Sequence, residues 1–138
     1  MKKFMLAAAA ATLMTAPALA QDKNDASQYA PRIGTELAKV EGNTITGVVV
    51  DINRAGYLVI HNEGAGAPPA SIGHIRVEPG KDIAVNVEFQ GELGANPSLM
   101  LHYETNDNTT YDFGPNSTDV DTPVMIGDQV VAVPLKAM

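Results

Sequence analysis

Residues 83–89 read Ile-Ala-Val-Asn-Val-Glu-Phe, and their strict alternation decides the fold class. Ile83, Val85, Val87 and Phe89 fall on one side of an extended chain. Ala84, Asn86 and Glu88 fall on the other, with Asp82 and Gln90 continuing the polar row. Side chains along a strand point to alternate faces, so this pattern describes one buried and one wet face, as in an antiparallel sheet. The same pattern extends outward in both directions. Residues 99–104 place Leu99, Leu101 and Tyr103 inward and Met100, His102 and Glu104 outward. Residues 72–78 oppose Ile75 and Val77 to His74, Arg76 and Glu78. Residues 44–52 (TITGVVVDI) are rich in β-branched side chains, and residues 57–61 (YLVIH) follow after Asn53-Arg54-Ala55-Gly56. So short a glycine-containing connection predicts a hairpin, and Gly47 inside the first run marks an expected bulge. Glu78-Pro79-Gly80-Lys81 carries proline and glycine where a type II turn wants them. Residues 36–40, 124–126 and 129–135 supply weaker strands, the last two joined at Gly127-Asp128. No stretch sustains a helical period, so the expected fold is an all-β sandwich of about seven antiparallel strands.

The N-terminus reads as a secretory signal. Met1-Lys2-Lys3 is basic, residues 4–16 are almost entirely apolar, Pro17 breaks the run, and Ala18-Leu19-Ala20 forms an A-x-A cleavage site. The apolar run is shorter than the roughly 18 residues a membrane span needs. Residues 1–20 are therefore expected to be removed, placing the mature chain in the periplasm or outside the cell without a membrane span. Residues 21–34 are polar, contain Pro31 and show no periodicity. They are read as a flexible leader, and residues 35–138 as the folded domain.

Composition narrows the chemistry. The chain has no cysteine, which excludes disulfides, thiolate metal sites and a cysteine nucleophile. Its formal charge of −7 becomes two units more negative when Lys2 and Lys3 leave, which argues against nucleic acid or anionic lipid as a partner. Ser27, Ser71, Ser98 and Ser117 sit in no nucleophile elbow, and Gly64-Ala65-Gly66 runs into Ala67-Pro68-Pro69 instead of a phosphate-cradling helix. A non-enzymatic chain is expected.

Two constellations remain. Glu104, Asn106, Asn108, Thr110 and Asp112 offer an oxygen at every second residue, with Asp107, Asp119 and Asp121 nearby. Calcium takes six to eight such oxygens on a flexible loop, so Glu104, Asn106, Asn108 and Asp112 are candidate ligands for calcium as cofactor. Thr109 stands where an EF-hand loop turns on glycine, and Pro115 where it ends on glutamate. The competing reading is a polar loop whose Asn and Asp side chains bond their own backbone. The second constellation is His61, His74 and His102 with Met100, surface imidazoles and a thioether that would suit copper or zinc in an exported protein.

The order YLVIH, a glycine-rich loop, IGHIRVEPGKDIAVNVEF and then LMLHYETNDNTTYDF resembles a domain of unknown function from haloarchaeal cell-surface proteins and related bacterial exported proteins. The family's strand ending in VIHD, its H-x-[NDK]-V-x-V-x-L strand and its Met-Leu-His…Tyr-Asp-Phe segment fall on residues 59–62, 82–89 and 100–113. Here Asn62 replaces the usual Asp, and Glu104 the Asp after the histidine. Asp107-Asn108-Thr109 replaces a commoner Gly-Asn-Gly. The resemblance, over residues 44–133, implies an immunoglobulin-like sandwich at or beyond the cell surface. The resemblance supplies no activity; the expected role is a binding or structural module of the cell envelope whose partner is a protein or envelope component.

Overall fold

The strand Thr44–Ile52 holds one layer of the molecule together. In the computed structural model, which describes residues 30–62, 71–114 and 117–135, Val49 pairs with Ala84 on one side and Gly34 on the other. Thr44 likewise pairs with Glu88 and Glu41. In chain order the strands are β1 (Arg32–Gly34), β2 (Lys39–Glu41), β3 (Thr44–Ile52), β4 (Gly56–His61), β5 (Gly73–Val77), β6 (Gly80–Glu88), β7 (Ser98–Tyr103), β8 (Met125–Ile126), β9 (Gln129–Val130) and β10 (Ala132–Pro134). The first sheet therefore has β6 along one edge of β3, with β1 and β2 end to end along the other. The second sheet runs β10-β7-β4-β5, and β8 and β9 form a small ribbon of their own. Every ladder is antiparallel. The described residues contain no helix, and none long and apolar enough to cross a membrane. The all-β antiparallel sandwich expected from the alternation is the fold.

The core lies between the sheets. Ile45, Val48, Val50 and Ile52 of β3 face Leu58 and Ile60 of β4, Leu99 and Leu101 of β7, and Val77, Val87 and Phe89. Burial of each such side chain is worth about 1.5–3 kcal/mol. Ile83 and Val85 pack at the rim, as the alternation of β6 required. The jump from Ile45 to Val48 breaks the period of two, and Gly47 is the extra residue. The register with β6 shifts there, Gly47 has φ 78°, and a Cβ would stand 2.3 Å from the Leu37 carbonyl oxygen. A left-handed bulge residue with no room for a side chain returns the second half of β3 to the core face.

Two expected turns are absent, for one reason. Residues 44–52 and 57–61 form no hairpin: β3 lies in the first sheet and β4 in the second, so residues 53–55 carry the chain across the core. Residues 78–79 do the same between β5 and β6. A two-residue hairpin or a type II turn needs a residue at positive φ, and neither residues 53–56 nor Gly80 adopts one. Gly127, at φ 61°, does, and there the expected turn joins β8 to β9.

The leader also ends earlier than expected. Residues 32–34 form β1, with Ile33 and Gly34 buried, while residues 35–38 turn through an Ala38 N–H to Thr35 carbonyl bond of 3.1 Å. The Arg32 guanidinium lies 3.1 Å from Asp51, a buried carboxylate that also accepts the Asp82 amide at 2.7 Å. This tie makes β1 part of the sheet. Residues 1–29, which include the expected signal and most of the expected leader, lie outside the described residues.

Candidate functional site

The outer face of the second sheet is covered. Tyr57, Val59 and His61 of β4 and Met100 and His102 of β7 point away from the inter-sheet core, because they alternate with Leu58, Ile60, Leu99 and Leu101. Each is nevertheless buried. The cover is a strap, seen in residues 104–114 and 117–124, which leaves the end of β7, crosses this face and returns to the edge of β7 beyond the three residues that pair with β10. There the Tyr103 amide donates to the Thr122 carbonyl at 3.0 Å, and the Val124 amide to the Leu101 carbonyl at 2.8 Å. Tyr111 rests against Tyr57 and edge-on to His102, with centroids 5.3 and 5.2 Å away, and Phe113 lies 4.9 Å from His102.

Asp121 pins the strap at both ends. One carboxylate oxygen accepts the Thr105 amide at 2.9 Å, and the other accepts the Asp112 amide at 2.7 Å. Its own amide donates to the Thr105 hydroxyl at 2.6 Å, and its carbonyl takes a 2.6 Å bond from His102 Nδ1. The side chain is fully buried. A backbone carbonyl can only accept, so Nδ1 carries the proton and Nε2 is the bare nitrogen. Tyr111 Oη stands 3.5 Å from Nε2, at the outer limit of a hydrogen bond. Burial pushes the His102 pKa down to about 4; the Asp121 carbonyl opposes the shift and neighbouring His61 adds to it. At neutral pH His102 is an uncharged donor.

Glu104 anchors the start of the strap. One oxygen accepts the Tyr57 hydroxyl at 2.6 Å, and the other the amides of Asn106 at 2.9 Å and Asn108 at 3.2 Å. Burial pushes this carboxyl up, but these donors, with the Asp107 amide, outweigh it and hold the group below its ordinary range. Tyr57 moves the other way, pushed up to about 12 first by burial and then by the bond to Glu104. Arg76 donates to the Asn108 carbonyl at 3.2 Å and lies 3.9 Å from Glu104. Asp112 closes the tip. Its Oδ2 accepts the side-chain amides of Asn106 at 2.7 Å and Asn108 at 2.9 Å, bonds that lower its pKa. Asn108 Oδ1 takes the Thr110 amide at 2.9 Å, an Asx turn.

Of the four residues read as calcium ligands, Asn106, Asn108 and Asp112 come together at the tip, with Glu104 bonded to the same turn through its backbone amides. The asparagines present nitrogen, not oxygen, to Asp112. Among the described residues no three His, Asp or Glu side chains gather as a metal set would. The histidines depart further from their expected place. His61 and His102, read as surface imidazoles, are buried beneath the strap 5.8 Å apart, and Met100 is buried with them. Only His74 is exposed, beyond Tyr57 and Tyr111. Tyr57 as the partner of Glu104, and Asp121 as the pin, went unread. One signal for them existed: YLVIH does not alternate, which is the mark of a strand buried on both faces.

Residues 31–137 match the family described as a domain of unknown function, DUF7282. The chain belongs to this family. No curated protein and no solved structure matches it. The DUF7282 match begins at Pro31, immediately before β1, and contains the whole strap, so both sheets and the cover of the second lie within the family's domain.

Proposed function

We propose that this DUF7282 domain is an exported, non-enzymatic β-sandwich that serves as a binding or structural module of the cell envelope, in the periplasm or outside the cell. The observation that carries this reading is the strap network. Glu104, Asp112, Asp121 and His102, the titratable groups from which a reactive centre would be drawn, are engaged by the strap's own donors and acceptors. Groups tied into the strap in this way favour an architectural or binding role over a catalytic one. The signal-like residues 1–20, the acidic charge and the lack of cysteine support export. The partner is a protein or envelope component met at a loop end or an exposed sheet edge.

Fractionation tests location: a tagged full-length chain is expected outside the cytoplasm with Gln21 as its first residue. Recovery from the cytoplasm with residues 1–20 intact would sink the reading. Calcium is tested on the purified mature chain. Because the strap closes on its own donors, replacing a chelator with millimolar calcium is expected to leave the melting temperature unchanged. A rise that Asp112→Ala abolishes would instead make calcium part of the module.

A further inference from the structure

A groove of about 590 Å³ opens beside the strap, where the two sheets meet. Its base is fixed by backbone. The Gln90 amide donates to the Ile72 carbonyl at 2.8 Å, and a Cβ on Gly73 would stand 2.0 Å from the Glu88 carbonyl oxygen, so only glycine lets the strands approach this closely. His74, Tyr111 and Phe113 line the groove together with Glu88 and Gln90. The rings are held in place. His74 and Tyr111 lie 5.0 Å apart, and Tyr111 is backed by Tyr57 and His102.

The charge of this lining is one-sided. The rings beside the otherwise exposed His74 partly desolvate it and lower its pKa, which favours the neutral imidazole. Glu88 is then the one acidic or basic residue among the described lining residues other than His74, and it is exposed and outside every ion pair of the described residues. Aromatic faces carry negative potential and attract cations, most strongly where water is displaced. A lining with one carboxylate residue and several rings serves a divalent metal poorly, since such an ion needs several charged or oxygen ligands. It serves a positively charged nitrogen bearing carbon well.

We propose that this groove binds an organic ammonium ion, its alkyl surface against the Tyr111, Phe113 and His74 rings and its charge balanced by Glu88. A small quaternary ammonium solute and a lysine side chain of a partner share that chemistry. The proposal gives the binding module a ligand class and so rests on that reading. Its test reads ligand contact and not location, so the two fail separately.

The test is an NMR titration of the mature chain with choline, with N-acetyl-lysine methylamide, and with dimethylbutanol, the uncharged carbon isostere of choline. Saturable shifts of the His74, Tyr111 and Phe113 ring signals are expected with at least one of the two cations and not with the isostere. A tighter fit to choline identifies a free solute, and a tighter fit to the lysine compound identifies a partner's side chain. Glu88→Gln, an exposed and isosteric change, is expected to weaken binding about tenfold with an unchanged melting temperature, and Phe113→Leu to weaken it as well. Shifts with neither cation, equal shifts with dimethylbutanol, or undiminished binding by the Glu88→Gln chain would each overturn the proposal.

Discussion

Asp121→Ala is expected to destabilise the domain by about 3–5 kcal/mol, measured by denaturant unfolding. Two backbone amides, Thr105 and Asp112, lose a charged acceptor in a buried site, and hydrogen bonds of this kind are worth about 1.5–3 kcal/mol each. Asp121 also adopts φ 48°, a left-handed conformation that aspartate tolerates and alanine enters at a cost of about 1 kcal/mol. The loss should be uneven. The strap is expected to open first, so that hydrogen exchange at the Thr105 and Asp112 amides speeds up while Leu58 and Leu101, in the inter-sheet core, keep their protection. Asp121→Asn, which keeps one oxygen and tolerates the same φ, should fall between. A loss below about 1 kcal/mol for Asp121→Ala would show that the strap is held by its rings and not by its pin.

Acid is expected to loosen the same strap. His102 is held neutral in the folded chain, its pKa lowered from an ordinary 6.5 to about 4. Between those values the unfolded chain binds a proton that the folded chain does not. The stability is therefore complete above pH 6.5 and falls as the pH drops, by about 3 kcal/mol once the pH passes below 4. Protonation also turns Nε2 into a donor facing Tyr111, with His61 5.8 Å away. Glu104 and Asp112, whose carboxyls sit below their ordinary values of 4.5 and 3.8, add a further loss that begins only near the bottom of this window and continues below it. His102→Asn keeps a side-chain amide able to reach the Asp121 carbonyl and removes the titration. Its stability is expected to vary less between pH 6.5 and 4, and an unaltered slope would place the acid sensitivity in other groups.

The strands were legible wherever one face is wet. β6 alternates because its outward row meets solvent, and Gly47 announced its bulge because a glycine among β-branched residues has few other uses. What escaped was the layer to which each strand belongs. Asn53-Arg54-Ala55-Gly56 has the length and glycine of a hairpin, and the difference lies in backbone dihedrals that depend on which edges of β3 and β4 are already filled. The strap shows the same limit. The Asn and Asp of residues 104–121 offer oxygens at cation spacing, but whether those oxygens meet an ion or an amide depends on the fold of the backbone between them. Asp112 meets two asparagine nitrogens, and Asp121 meets two main-chain amides. His102 looked exposed because its neighbours Leu101 and Tyr103 claimed the core face. Nothing in the alternation recorded that a later segment returns to cover the opposite one.

The crossing of residues 53–55 and 78–79 between layers also sets the order in which the molecule can assemble. β3 has no ladder with the strand that follows it, and its longest pairing waits for β6. β4 pairs with the β5 that follows it, but its other edge waits for β7, the two meeting through pairs such as Val59 with Met100. A ribosome releases the chain from its N-terminus, so TITGVVVDI emerges with β1 and β2 already available along one edge and the other edge bare until β6 follows. Loops must close over long stretches before any of these contacts is gained, which places refolding in the slow class of about milliseconds to seconds, as stopped-flow measurement of the mature chain would read. Microsecond refolding would contradict this order of assembly.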